Sequence, residues 1–151
     1  MNTKPAGICH ILLAEDNEHD IISIQRAFEK NKIINPLHVV RNGIECLDYL
    51  LRRDKYADPH TSPTPTLVLL DIKMPKMDGI TVLRHIREDK EISRMPVIML
   101  TTSRDQSDIA ESYDLGVNAY IVKPVELENL SEAIKRIDFF WQIVEHPPLN
   151  R

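Results

Sequence analysis

The chain reads as an α/β domain: a five-stranded parallel sheet, doubly wound, built from five βα units. Two observations carry this reading. Short apolar runs alternate with helical patterns five times along the 151 residues, and such alternation implies a mostly parallel sheet with helices on both faces. The runs are continuously apolar rather than alternating, as strands covered on both faces require. A chain of this length suits one domain with a sizeable core.

The elements follow in order. Ile8 to Ala14 is the first predicted strand. Ile21, Ile24 and Phe28, with Ala27 beside them, keep the three–four spacing of an amphipathic helix. Leu37 to Val40 is the second strand, and Ile44, Leu47 and Leu51 mark the second helix. The segment from Arg52 to Thr66, with Pro59, Pro63 and Pro65, is longer than most loops in compact domains. It reads as a surface excursion. Leu67 to Leu70 is the third strand, followed by a helix marked by Val82 or Leu83 with Ile86. Val97 to Leu100 is the fourth strand. Its helix is the weakest, carried by Ile109 and Tyr113, and Ser103 with Gln106 fits a capping box. Ala119 to Val122 is the fifth strand. Leu127, Leu130, Ile134, Ile137, Trp141 and Val144 form the clearest helical stripe, and His146-Pro147-Pro148 stops it.

Composition narrows the function. With 42% hydrophobic and 28% charged residues the chain is ordinary for a soluble globular protein. A net charge of −4, with basic clusters no longer than Arg52-Arg53 and Lys135-Arg136, argues against nucleic acid as a partner. No apolar run approaches the roughly 18 residues of a membrane span, and the polar opening Met1 to Gly7 does not read as a signal peptide. Cys9 and Cys46 read as free thiols in a cytoplasmic protein.

Polar groups gather where four strands end. Glu15-Asp16 follows the first, Asp71 the third, Thr101-Thr102 the fourth and Lys123-Pro124 the fifth. Each has a plainer explanation alone. An acidic pair suits a helix N-terminus, Thr-Thr a turn or cap, Asp78-Gly79 a turn, and a lone Lys the surface. Their joint placement favours a shared site, because open α/β sheets bind ligands outside the carboxyl ends of their strands. In the flavodoxin-like order 2-1-3-4-5, Glu15 and Asp16 would stand beside Asp71. Three clustered carboxylates repel one another, and a hard divalent cation such as Mg²⁺ removes the repulsion. A Lys and a Thr hydroxyl add donors for a phosphoryl oxygen, so the set suits phosphoryl transfer with Asp71 as nucleophile.

The motifs LLAEDN at 12–17, LLDIKMPKMDG at 69–79, VIMLTTS at 97–103 and AYIVKPV at 119–125 resemble the receiver domain of two-component response regulators. The resemblance runs from Ile8 to Val144. It implies a receiver domain over 8–145, tails at 1–7 and 146–151, and no output domain. It implies Asp71 as the phospho-acceptor. Asp16, Glu15 and Asp71 become the Mg²⁺ carboxylates, with the backbone carbonyl of Lys73 completing the protein ligands. Thr101 would follow the phosphoryl oxygen, Lys123 would pair with Asp71 or its phosphate beside a cis Pro124, and Tyr120 would be the aromatic switch. Lys73, Thr102 and Ser103 would line the phosphate environment. The finer resemblance is to stand-alone regulators associated with phytochrome-type histidine kinases. It rests on the long segment before the third strand, the stretch SYDLGVNAYIVKPVEL and the aromatic end of the last helix.

The expected partners are therefore a sensor histidine kinase, of phytochrome type, and a downstream phosphotransfer or target protein. A second copy of the chain is also expected. Phe139, Phe140, Trp141 and Ile143 lie around the end of a helix that outruns the sheet, and an exposed apolar cluster marks an interface. The expected homodimer face is the fourth helix, fifth strand and fifth helix. Two other functions compete. A phosphatase or phosphotransferase of the haloacid-dehalogenase type would carry a second Asp two positions after the nucleophile, where this chain has Lys73. A phosphorylation-independent adaptor would have lost part of the acidic set, which is complete here.

Overall fold

In a computed structural model, which describes residues 9–30 and 32–144, five parallel strands stand in the order β2-β1-β3-β4-β5. The side chains at 127 and 138–144 lie outside the described set. The strands are β1 (Ile11–Ala14), β2 (Leu37–Val40), β3 (Leu67–Leu70), β4 (Val97–Thr101) and β5 (Ala119–Val122). The helices are α1 (Glu18–Lys30), α2 (Gly43–Leu50), α3 (Gly79–Glu88), α4 (Gln106–Asp114) and α5 (Leu127–Val144). This is the doubly wound flavodoxin-like sheet expected from the βα alternation.

Alternate strand residues feed two cores. Leu12, Ala14, Val68, Leu70, Val97 and Met99 face α2 and α3, packing with Cys46, Leu47, Leu50, Val82, Leu83 and Ile86. Ile11, Leu13, Leu67, Leu69, Ile98 and Leu100 face α1 and α5, meeting Ile21, Ile24, Phe28, Leu130, Ala133 and Ile134. Both faces of the three central strands are buried, which is why their sequences show no alternation.

Some local expectations shift. β1 begins at Ile11 rather than Ile8, which itself lies outside the described residues, and β4 runs one residue further, to Thr101. The N-cap of α4 is Asp105, whose side chain accepts from the Ser107 N–H; Ser103 is not the cap. The helix starts two residues later than a cap at Ser103 implies: the Ser103 Oγ accepts from the Asp105 N–H at 3.2 Å, in the turn ahead of the helix, and donates to Asp108 at 2.7 Å. Of the α4 side chains only Ser112 is buried, and Tyr113 is 53% exposed, so the Ile109–Tyr113 pattern does not mark a core face. The 52–66 segment carries a short 3₁₀ turn at Asp54–Tyr56 and is fastened to α2, with the Tyr49 hydroxyl donating to the Pro63 carbonyl at 3.0 Å. Cys9 and Cys46 are free thiols.

Candidate functional site

Register brings the strand-end residues together. Ala14 pairs with Leu70 across β1 and β3, so the residues that follow, Glu15 and Asp71, leave the sheet side by side. The Asp71 N–H donates to the Ala14 carbonyl at 3.1 Å, and the Glu15 N–H to the Val40 carbonyl at 3.0 Å. On the other side Thr101 pairs with Val122, and the Lys123 N–H donates to the Thr101 carbonyl at 2.8 Å. Four strand ends thus deliver Glu15, Asp71, Thr101 and Lys123 to one edge with their backbones still tied to the ladder.

The loop after Asp71 folds back sharply. Asp78 caps α3 by accepting from the Thr81 N–H at 2.8 Å, and the Gly79 N–H donates to the Ile72 carbonyl at 2.7 Å. A Cβ at Gly79 would collide with the Asp71 carbonyl oxygen, and one at Gly43 with the Met77 carbonyl oxygen. Only glycine lets the starts of α3 and α2 close on this loop. The Asp78-Gly79 pair, readable as an ordinary turn, therefore sets how closely α3 approaches the acid.

The electrostatics centre on Lys123. Its Nζ donates to Glu15 Oε1 at 2.6 Å, Asp20 Oδ2 at 2.7 Å and Asp71 Oδ2 at 3.2 Å. An ammonium has three protons, and three carboxylates take them. Burial opposes the charge on Lys123, but the hydrogen bonds to Asp20 and Glu15 and the charges of Asp71 and Glu15 outweigh it and hold the ammonium protonated above its ordinary value. Glu15 is fully buried, and desolvation pushes its carboxyl up to about 7 despite the opposing bond from Lys123; the charge of Asp71 adds to the rise. One cation does not neutralise the acids around it.

Glu15, Asp16 and Asp71 each offer a carboxylate oxygen, and these oxygens lie within 4.8 Å of one another. Asp16 is exposed at the mouth, while Glu15 and Asp71 form the floor. Oxygen donors with surplus negative charge fit a hard divalent cation. The Lys73 N–H donates to Asp71 Oδ1 at 3.3 Å, and the Lys73 side chain points to solvent.

A second network leads away from the acids. Thr101 is fully buried, and its Oγ1 accepts from the Ser103 N–H at 3.2 Å. Ser103 Oγ donates to Asp108 of α4 at 2.7 Å, and the Ser103 carbonyl accepts from the half-buried Tyr120 hydroxyl at 3.0 Å. Thr102 is exposed. Ser103 thus joins Thr101, α4 and β5. The Lys123-Pro124 bond is cis. The side chains of Phe139, Phe140, Trp141 and Ile143, expected at an interface, lie outside the described residues.

Asp20 was missed at the sequence level. As an acid in the first turn of α1 it reads as a favourable partner of the helix dipole. A signal was present: Asp20, Ile24 and Phe28 fall at successive four-residue steps, so Asp20 heads the buried stripe of its helix.

Comparison with known proteins identifies the family of the chain. Residues 11–135 match the response regulator receiver domain. The response regulator Rcp1 of Synechocystis sp. is 36% identical over 131 residues, 87% of each chain. The bacteriophytochrome response regulator RtBRR is 40% identical, with a TM-score of 0.78 over 95% of this chain and 86% of that one. The phosphorylated cyanobacterial phytochrome response regulator RcpA is 36% identical, with a TM-score of 0.73 over 91% and 94%. A structure of Rcp1 is a Mn²⁺-bound form, 35% identical with a TM-score of 0.73 over 88% and 94%. Every strand, and every strand-end acid, falls inside the matched span, and the chain belongs to the response regulator receiver domain family of two-component signalling, related to the phytochrome response regulators.

Proposed function

We propose that this chain accepts a phosphoryl group on Asp71 from a sensor histidine kinase of phytochrome type, and that the acyl phosphate alters the face formed by α4, β5 and α5. The observation that carries the proposal is the placement of Asp71: 5% exposed, at a strand end, with an ammonium at 3.2 Å and two further carboxylates within 4.8 Å. A phosphoryl donor approaching the mouth would meet an Asp71 carboxylate oxygen. An O–P bond forms as the P–N bond of the donor phosphohistidine breaks, and the imidazole leaves. Glu15, Asp16, Asp71 and the Lys73 carbonyl would hold Mg²⁺, which when bound offsets the charge on the phosphoryl oxygens. Lys123 supplies a fixed positive charge on the other side of Asp71, and Thr101 a hydroxyl. Burial of Asp71 and Glu15 keeps the reacting oxygens out of bulk water.

The route outward is the Thr101–Ser103–Tyr120 network. When the Thr101 hydroxyl turns to a phosphoryl oxygen it leaves the Ser103 N–H, and the loop joining β4 to α4 must readjust. Because α4 buries only Ser112, its position costs little to change. Phosphorylation then shifts the population between two arrangements of this face. A groove of about 720 Å³ lies along the open edge of β5, with Tyr113 and Tyr120 in it and charges of both signs from Arg94, Arg136, Glu126 and Glu132. Mixed charge on an open strand edge suits a second copy of this chain related by a two-fold axis, and we assign the expected homodimer to it. The position two residues after Asp71 is Lys73, which disfavours a dehalogenase-type phosphatase, and the complete acidic set disfavours a phosphorylation-independent adaptor.

Incubation with acetyl phosphate and Mg²⁺ tests the reading by intact-mass spectrometry. The expected result is a gain of one phosphoryl group that disappears in Asp71→Asn and when EDTA removes the metal. Phosphotransfer profiling against purified histidine kinases, phytochromes included, tests the donor. No gain from any donor would support the adaptor, and rapid turnover of small phosphate esters would support the phosphatase.

A further inference from the structure

Lys123 has one bond that the phosphoryl site does not require. Its shortest contacts are to Glu15 at 2.6 Å and Asp20 at 2.7 Å, and its contact to Asp71 is the longest at 3.2 Å. All three ammonium protons are engaged. One of the three is on Asp71 itself and can pass to a phosphoryl group there, but at 3.2 Å it is the longest, and it shortens only if the ammonium moves away from Glu15 or Asp20. The Glu15 side chain is 1% exposed, so water cannot replace the ammonium there. The Asp20 side chain is 35% exposed and can be rehydrated. The bond to Asp20 is the one that gives. Asp20 is itself well placed to hold: it sits in the first turn of α1, with its N–H accepted by Asn17 Oδ1 at 3.0 Å. It belongs neither to the triad of converging oxygens nor to the strand ends.

We propose that Asp20 is a positioning residue that holds Lys123 toward α1 and competes for it with the phosphoryl group on Asp71. The inference rests on the phospho-acceptor reading above. It has two consequences of opposite sign. Asp20 adds a negative charge beside the triad, which favours the divalent cation. It also occupies an ammonium proton and repels added negative charge, which disfavours the phosphoryl group. Asp20→Asn keeps the size and one acceptor but removes the charge, and leaves the backbone bond to Asn17 in place.

Isothermal titration with Mg²⁺ alone, then with beryllofluoride at saturating Mg²⁺, separates the two. In Asp20→Asn we expect Mg²⁺ to bind roughly twofold to fivefold more weakly and beryllofluoride roughly threefold to tenfold more tightly. Asp20→Ala, which also removes the acceptor, shifts both constants further the same way, and Asp20→Glu, which restores the charge, returns the Mg²⁺ constant toward that of the unchanged chain. A merely structural role for Asp20 weakens both ligands together. Beryllofluoride affinity that is unchanged or weaker in Asp20→Asn overturns the inference while leaving the phospho-acceptor reading intact. Failure of the unchanged chain to bind beryllofluoride with Mg²⁺ overturns that reading, and the inference with it.

Discussion

Lys123 holds together carboxylates that would otherwise repel one another, and its side chain is only 8% exposed. Replacing it with Met leaves Asp71 and Glu15 buried without a counter-charge. Removing one partner of a buried pair costs about 3–5 kcal/mol. Glu15, already pushed up to about 7 by burial first and the Asp71 charge in addition, can take up a proton and soften the loss. We expect Lys123→Met to lower stability by about 3 kcal/mol in urea denaturation at pH 7.5, and Mg²⁺ to recover part of it. Equal loss with and without Mg²⁺ would show that the acids do not bind the cation. His38 offers a separate pH test. Burial, and secondarily the charge of His10, hold its pKa below the ordinary 6.5, with the two rings joined at 2.9 Å. The unfolded chain therefore binds the proton first as pH falls through 6.5, and the stability contributed by His38 is present above that pH and lost below it. Glu15 works the other way in the range from its ordinary value up to about 7, since the folded state binds its proton more tightly. A comparison with His38→Gln cancels the Glu15 contribution. The drop in denaturation midpoint between pH 7.5 and 6.0 should be smaller in His38→Gln than in the unchanged chain. An equal drop in both would remove His38 from the account.

At the scale of elements, the loop from Asp71 to Gly79 decides how well the acid is aimed. Gly79→Ala sets a Cβ against the Asp71 carbonyl oxygen and the Ile72 Cα, both backbone, so neither can swing aside. Forcing a methyl into packed backbone costs about 1–3 kcal/mol. The expected outcome is a lower thermal midpoint together with slower acetyl-phosphate labelling of Asp71, because the loop that must yield begins at Asp71. Asp78→Ala is the control: loss of its cap costs about 1 kcal/mol but leaves that approach open. If both variants label at the same rate, Gly79 matters for stability alone. Element identity was largely legible beforehand, since β2, β3 and β5 fall where the apolar runs lie. The misreadings are local and share a cause. Ser103 and Gln106 have cap spacing, yet the Ser103 Oγ takes the Asp105 N–H and Asp105 caps the helix in its place, and Tyr113 follows a helical stripe on a helix that lies loosely on the domain. A pattern of residue types names a possible partner; competition among partners in space chooses one.

For the whole molecule, the question is what meets the open edge of β5. α5 runs for 18 residues, about 27 Å, against four-residue strands of about 13 Å, so its end passes beyond the sheet. Phe139, Phe140, Trp141 and Ile143 belong to that end by sequence. Among the described residues no helix is long and apolar enough to cross a membrane. Sedimentation velocity at micromolar concentration should give a dimer, with beryllofluoride and Mg²⁺ changing the association constant. A Tyr113→Glu variant in the groove should shift the equilibrium to monomer without altering Asp71 labelling. A monomer in both states would return the groove to a different partner.

The order of the five βα units, the strand-end acids and the receiver-family motifs were determined by the sequence itself. Each depends on short-range pattern: apolar runs, helical spacing and residue types directly after a strand. Helical spacing puts Asp20 at the head of the buried stripe of α1, but not beside Lys123. It is 103 residues from Lys123, and the two meet only because the sheet order sets β1, and with it the start of α1, near the end of β5 across β3 and β4. The same closure decides which three carboxylates share one ammonium, and hence that Asp71 is held most weakly of the three. Local pattern determines which groups a strand end offers. How those groups divide a single charge is decided by distances across the sheet, and no spacing along the chain contains them.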